Sequence, residues 1–265
     1  MNIDTLLKEI EELAKGEISI VDLSEIIYRS MFSCYYCEIQ VEEELVLRST
    51  GTAKDPEIAA LKALAEMAER IVRSRIEANP FFSSSFHSDP DLAKKGVLNE
   101  FYERTCIYNY LSGNGKIKTI KPKNDIEQLK NKILGQDAHL DMFQLYDGKN
   151  QVCVSEITSQ NGQVIGNGFS ISLDQDFQEK SFLEASRRYV TNRDNLTSSL
   201  PIMKYEVIIS EAIMPSKLQT ISKKIGDSGV VSYVDPSAIE TLAPKSTNYH
   251  SNSSTQKQGI PTIFL

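Results

Sequence analysis

The sequence predicts an α+β protein, with helices packed on antiparallel or mixed β-sheets and an internally repeated strand–turn–helix unit. Three observations carry that prediction. Short strand-like segments come in groups and do not alternate strictly with helices. Three helix-like segments share one polar signature, in ALAEMAER, VLNEFYER and FLEASRR. A turn of small residues lies upstream of each.

The elements follow in order. Ile3, Leu6, Leu7, Ile10 and Leu13 repeat at helical spacing over residues 2–15. Ser19 and Asp22 are expected to cap a second short helix through Leu23, Ile26 and Ile27. CEIQV and ELVLRST read as strands, with Glu42 to Glu44 as the turn between them and Gly51 as the end of the second. Residues 55–77 give the clearest helix. Asp55 is placed to cap it, Pro56 occupies its first position and Glu57 favours its positive end. Asn79-Pro80 stops it. FFSSSFHSDPD reads as a loop or short strand, and Asp89-Pro90 opens a second long helix to about Tyr110. KIKTIKP is a predicted strand, Ile126 to Leu134 a helix ended by Gly135. LDMFQLYD, QVCVSEIT and VIGNGFSIS are predicted strands, and Asp176 begins a third helix to about Tyr189. YEVIIS at 205–210 reads as a strand, Pro215 to Ile225 as a helix and GVVSYVD as a last strand.

Composition narrows the function classes. The 265 residues, 40% hydrophobic and 25% charged, are ordinary for a soluble globular chain and suffice for a sizeable core. Residues 1–243 are read as a single domain with a sub-boundary near 195–204, and 244–265 as a polar tail with the apolar end IPTIFL. No apolar run nears the roughly 18 residues that span a bilayer. MNIDTLLKEIEELAKGE lacks the basic and apolar regions of a signal peptide, so a cytoplasmic location is expected. The net charge of −7 argues against a nucleic-acid surface. Cys34 and Cys37 form a lone CxxC in strand-like context, with Cys106 and Cys153 apart, and His87, His139 and His250 are scattered. Reduced, buried thiols suit this pattern better than a zinc site.

The three repeated helices carry the functional argument. Aligned on their first carboxylate, Glu66, Glu100 and Glu184 correspond; Glu69, Glu103 and Arg187 follow three residues later, then Arg70, Arg104 and Arg188. Gly51 and Ser85 each precede their glutamate by 15 residues, and Gly168 precedes Glu184 by 16. Residues at i and i+3 share a helix face, so the first two helices each present two carboxylates together. One ExxE alone is common on solvated faces, where Glu69 would pair with Arg73. Paired carboxylates among Leu61, Leu64, Met67, Ala68 and Ile71, or among Val97, Leu98, Phe101 and Tyr102, are costly without a compensating cation. Magnesium binds through carboxylates and substrate phosphates, and arginine suits phosphate oxygens.

GTAKDPEIAALKALAEMAER and SSSFHSDPDLAKKGVLNEFYER together resemble the paired turn–helix ExxER motifs of the YcaO-like family, and VSEITSQNGQVIGNGFSISLDQDFQEKSFLEASRR resembles its later strand–turn–helix. The resemblance covers residues 30–190. It implies an enzyme that uses ATP and magnesium to phosphorylate a peptide backbone amide. Attack by Cys, Ser or Thr then gives an azoline (cyclodehydration), and attack by an external sulfur source gives a thioamide, in the modification of ribosomally made peptides. By the same resemblance Glu66, Glu69, Glu100 and Glu103 would hold magnesium. Arg187, Arg188, Glu184, Arg29 and Ser30 would meet ATP. A precursor peptide, a separate peptide-recognition protein and a homodimer are the implied partners, and a catalytically degenerate scaffold subunit is the alternative. Only 30 residues separate Glu69 from Glu100, where members carry a longer stretch, so the chain reads as a shortened or divergent member. Its second turn, Ser84-Ser85-Phe86-His87, has a bulky ring where Ser-Asn-Gly is usual.

Overall fold

The computed structural model describes residues 2–41, 45–76, 83–111, 114–136, 138–160, 164–171, 176–193 and 220–235. The chain divides into two compact units, 1–101 with 214–241 and 102–213 with 242–265, the division falling inside one long helix.

In the first unit, α1 (Ile3–Ala14) starts at Asn2, whose side chain accepts hydrogen bonds from the amides of Asp4 and Thr5. Three antiparallel strands follow in the order β1 (Ile18–Asp22), β2 (Ser33–Gln40), β3 (Val46–Ala53). The short α2 (Ser24–Tyr28) links the first two. Then come α3 (Pro56–Ser74), β4 (Ser84–His87) and α4 (Pro90–Leu111), whose first part lies in this unit. A second antiparallel sheet orders β4, β10 (Gly229–Val234) and β9 (Thr220–Ile225). One core unites them: Leu6 and Ile10 of α1, Cys37 and Ile39 of β2, Leu64, Met67 and Ile71 of α3, with Phe86, Ile225 and Val231. Removing such side chains from water is the main stabilising term. Glu9 of α1 also accepts from the amides of Asp227 (2.8 Å) and Ser228 (3.2 Å) in the β9–β10 turn.

The second unit holds the rest of α4, α5 (Asn124–Ile133), α6 (Phe177–Arg193) and one antiparallel sheet. That sheet orders β5 (Lys116–Thr119), β6 (Ala138–Tyr146), β7 (Gln151–Ser159) and β8 (Val164–Ile171). β7 is buried on both faces. Val152 and Val154 meet Cys106 and Ile107 of α4. On the other face Ser155 Oγ lies 2.6 Å from Ser181 Oγ of α6.

The α+β class and its antiparallel sheets are as the sequence predicts. Asp55 caps α3 by accepting from the Ile58 amide at 3.1 Å, with Pro56 at its start. Three local expectations are corrected. Ser19 lies inside β1, because Ile18 to Asp22 pair with Ile39 to Tyr35, and the short helix begins only at Ser24. β3 runs past Gly51 to Ala53. Thr220 to Ile225, expected at the end of a helix, is a strand because it pairs along its length with β10. The readings for Glu42 to Glu44, Asn79-Pro80, 195–204, 205–210 and 244–265 lie outside the described residues. Cys34, Cys37, Cys106 and Cys153 are all free and buried. No helix among the described residues is long and apolar enough to cross a membrane.

Candidate functional site

Each of the three signature helices follows a strand at a sheet edge, and its first glutamate takes an amide of that strand. Glu66 Oε2 accepts from the Thr50 amide at 3.0 Å. Glu100 Oε2 accepts from the Ser84 amide at 2.8 Å. Glu184 Oε2 accepts from the Phe169 amide at 2.9 Å. An edge strand presents amides without a ladder partner, and an unsatisfied amide is costly once water is excluded. The repeat in the sequence is therefore first a structural device: a carboxylate one strand-plus-turn downstream closes the open edge.

Close backbone packing makes the reach short enough. A Cβ on Gly51 would stand 2.0 Å from Ala59 O and 2.3 Å from Ala63 N. A Cβ on Gly168 would stand 1.9 Å from Ser181 O and 2.5 Å from Ala185 N. The second unit of the repeat inverts the arrangement. Its strand carries Ser85 and its helix carries Gly96, where a Cβ would meet Ser85 Oγ at 2.1 Å.

The helices then diverge. Arg70 donates to Glu66 Oε1 at 2.6 Å and Arg188 to Glu184 Oε1 at 2.7 Å, both at i+4. Arg188 also lies over the Phe169 ring, 5.9 Å from its centroid. In α3 the second carboxylate, Glu69, reaches across to β4. Its Oε1 accepts from the Phe86 amide at 2.8 Å and its Oε2 from Ser84 Oγ at 3.3 Å. Glu69 and Glu100 thus cap the same edge strand at alternate residues. The residue keeps some surface, but its carboxyl is closely enclosed by protein. That burial, with the neighbouring charges of Glu100 and Glu66, pushes it well above the usual carboxylate range, against the opposing bond from Phe86.

In the first unit Glu66 and Glu100 therefore both stand within electrostatic reach of Glu69. Glu103, one turn further along α4, falls in the second unit with Glu184, Arg187 and Arg188. Arg29 and Ser30 are exposed on the turn that ends α2, both in the left-handed conformation (φ 49° and 59°). Thr50 was not singled out by the sequence. Its Oγ1 is buried, and no group among the described residues bonds it. Nothing in a sequence marks a strand threonine beside a carboxylate that arrives 16 residues later.

Three carboxylates of one unit, one pushed high by burial and then by its neighbours' charges, are hard oxygen donors that suit magnesium, as is the orphaned hydroxyl of Thr50, whose amide Glu66 takes. No set of three or more metal-ligating side chains among the described residues stands ready-arranged around one point. The carboxylate oxygens already accept from strand amides, from Arg70 and from the Ser84 hydroxyl, so a cation would compete with those donors.

The repeated edge-strand–turn–helix arrangement has the fold of YcaO proteins. A solved structure of YcaO from Methanopyrus kandleri, bound with AMPPCP and Mg2+, matches it with a TM-score of 0.55 and 11% identity. The match covers 74% of this chain and 69% of that one. No family model matches the chain, and neither does any curated protein.

Proposed function

We propose that this protein uses ATP and magnesium to activate a peptide backbone amide, as the ExxER resemblance implies. The observation that carries the reading is the trio Glu66, Glu69 and Glu100, in a fold whose solved neighbour is bound with an ATP analogue and Mg2+. Glu66, Glu69 and Glu100 would hold the ion, with Glu103 as a fourth donor. Bound there, magnesium would supply positive charge against the nucleotide phosphates.

The chain's residues have defined tasks in this reading. Glu69 must lose its proton to bind a cation, which its raised affinity for protons opposes until the ion arrives. Arg187 and Arg188 would orient phosphate oxygens, and Arg188 would exchange its bond with Glu184 for that role. Arg29 and Ser30 would meet the nucleotide from the α2 turn. The amide oxygen would take the γ-phosphoryl group and ADP would leave. A Cys, Ser or Thr of the peptide, or an external sulfur nucleophile, would then attack the amide carbon and phosphate would depart. Positioning and charge neutralisation suffice for this transfer, so no Ser–His or Cys–His pair is needed. A precursor peptide, a separate recognition protein and a homodimer remain the proposed partners.

The experiment is ATP hydrolysis with magnesium and a pool of Cys-, Ser- and Thr-containing peptides. Turnover in the wild type that falls at least tenfold in both Glu66→Gln and Glu103→Gln supports the reading. Equal turnover in variants and wild type sinks it. A second reading, a scaffold subunit without catalysis, draws on the engagement of Glu66, Glu69 and Glu100 with strand amides. It predicts a folded protein that binds no nucleotide.

A further inference from the structure

The edges of the three sheets are not treated alike. Ile18 of β1 donates its amide to Glu11 Oε1 at 3.0 Å. β3 is closed by Glu66, β4 by Glu69 and Glu100, and β8 by Glu184. Two edges remain: among the described residues β9 pairs with β10 only, and β5, the other edge of the four-stranded sheet, pairs with β6 only. The Ile120 amide donates to Met142 O at 2.9 Å, continuing the β5–β6 register. Alternation along an antiparallel pair then turns the backbone groups of Ile117 and Thr119 away from β6. No glutamate closes this edge among the described residues.

Its side chains have the opposite sign. Lys116 and Lys118 share the exposed face, while Ile117 packs on the core formed with Cys106 and Ile107. The same charge continues in sequence at Lys121, Lys123, Lys130 and Lys132, against only Asp125 and Glu127, in a chain of net charge −7. An edge lysine by itself deters chance strand pairing. Here Lys116 and Lys118 sit on an edge strand with two outward backbone positions, and four more lysines follow in sequence by residue 132.

We propose that the β5 edge is a docking site for an extended acidic peptide segment of a partner protein. The segment would add as a strand beside β5, bonding its backbone to Ile117 and Thr119 and laying Glu or Asp side chains against Lys116 and Lys118. It would supply from outside the carboxylates that β1, β3, β4 and β8 receive from within. A nucleic acid fits less well, since it offers no strand backbone and the chain as a whole carries a net charge of −7. The proposal stands apart from nucleotide binding and survives its failure.

The test is fluorescence anisotropy with a labelled 12-residue peptide that alternates Glu with Thr and Val, against the full chain. Saturable binding weakened by salt is expected. Lys116→Glu/Lys118→Glu should weaken it at least tenfold. Thr119→Pro keeps the charge, removes one outward amide and is tolerated at an edge; it should weaken binding about threefold or more. Hydrogen exchange at Ile117 and Thr119 should slow when the peptide is bound. No peptide binding overturns the proposal. So does binding of a single-stranded oligonucleotide that equals the peptide's and ignores Thr119→Pro. A self-association that Lys116→Glu/Lys118→Glu abolishes would assign the edge to a second copy and overturn it as well.

Discussion

The β3–α3 and β8–α6 segments are built on one plan and diverge at one position. Both bring a glycine strand against a helix so closely that any side chain would overlap backbone. Both close a strand amide with the first glutamate and bind that glutamate to the arginine at i+4. Three residues on, α3 has Glu69 and α6 has Arg187. Glu69 turns to β4, joins Glu100 there and becomes a carboxyl pushed well above the usual carboxylate range by burial and by the nearby charges. The shared part of the signature thus builds the fold, and the position that varies sets the charge of the helix and, in α3, its reach to a second strand.

The largest effect should come from breaking the shared part. Gly51→Val or Gly168→Val would force atoms into a backbone oxygen about 2 Å away. Each should cost on the order of 3 kcal/mol or more, read as a lowered urea midpoint or loss of soluble protein. A mild effect in one and a severe effect in the other would show that the two segments are not equivalent.

Glu66→Ala and Glu184→Ala come next. Each leaves a strand amide without its acceptor and should cost about 1–3 kcal/mol, with faster hydrogen exchange at Thr50 and Phe169 respectively. Unchanged exchange at both amides would remove the edge-closing role.

pH should then separate the two regions. Glu69 has a folded pKa raised above its unfolded value. In metal-free buffer the stability it permits is full below that unfolded value and is lost as pH rises through the folded one. Glu69→Gln should therefore gain on the wild type in urea midpoint as pH rises from 5 to 8. In the second unit Asp147 behaves oppositely. Burial pushes its carboxyl up, but bonds from the Asn150 and Lys149 amides and the Asn150 and Asn109 side chains outweigh it. Its contribution is present above the unfolded value and is lost as pH falls through the lowered one. Asp147→Asn should destabilise at pH 7 and matter progressively less on strong acidification. A Glu69→Gln variant with no pH-dependent gain would show that its carboxyl is not enclosed as described.

The smallest effect belongs to Arg70→Met and Arg188→Met. Both ion pairs are about one-third exposed, so each should cost under about 1 kcal/mol in thermal melts.

How much of this was legible follows from what a sequence can encode locally. α3 was readable because Asp55-Pro56-Glu57 marks its start and its apolar period is long. β1 and β9 were not, since five and six residues without a strong local signal take their state from the strands beside them. The spacing that aligned Glu66, Glu100 and Glu184 was visible, but its cause was not. The partners are main-chain amides of Thr50, Ser84 and Phe169, which every residue but proline offers alike. Glu69 looked equivalent to Glu66 in sequence, and only its reach to Phe86 distinguishes it.

The most direct test of the account is calorimetric titration of AMPPCP with Mg2+ into the wild type and into Glu69→Gln, with circular dichroism confirming the variant's fold. The account predicts saturable binding that requires Mg2+ and weakens at least tenfold in the variant. Absent binding, or equal binding in the variant or without Mg2+, would contradict it.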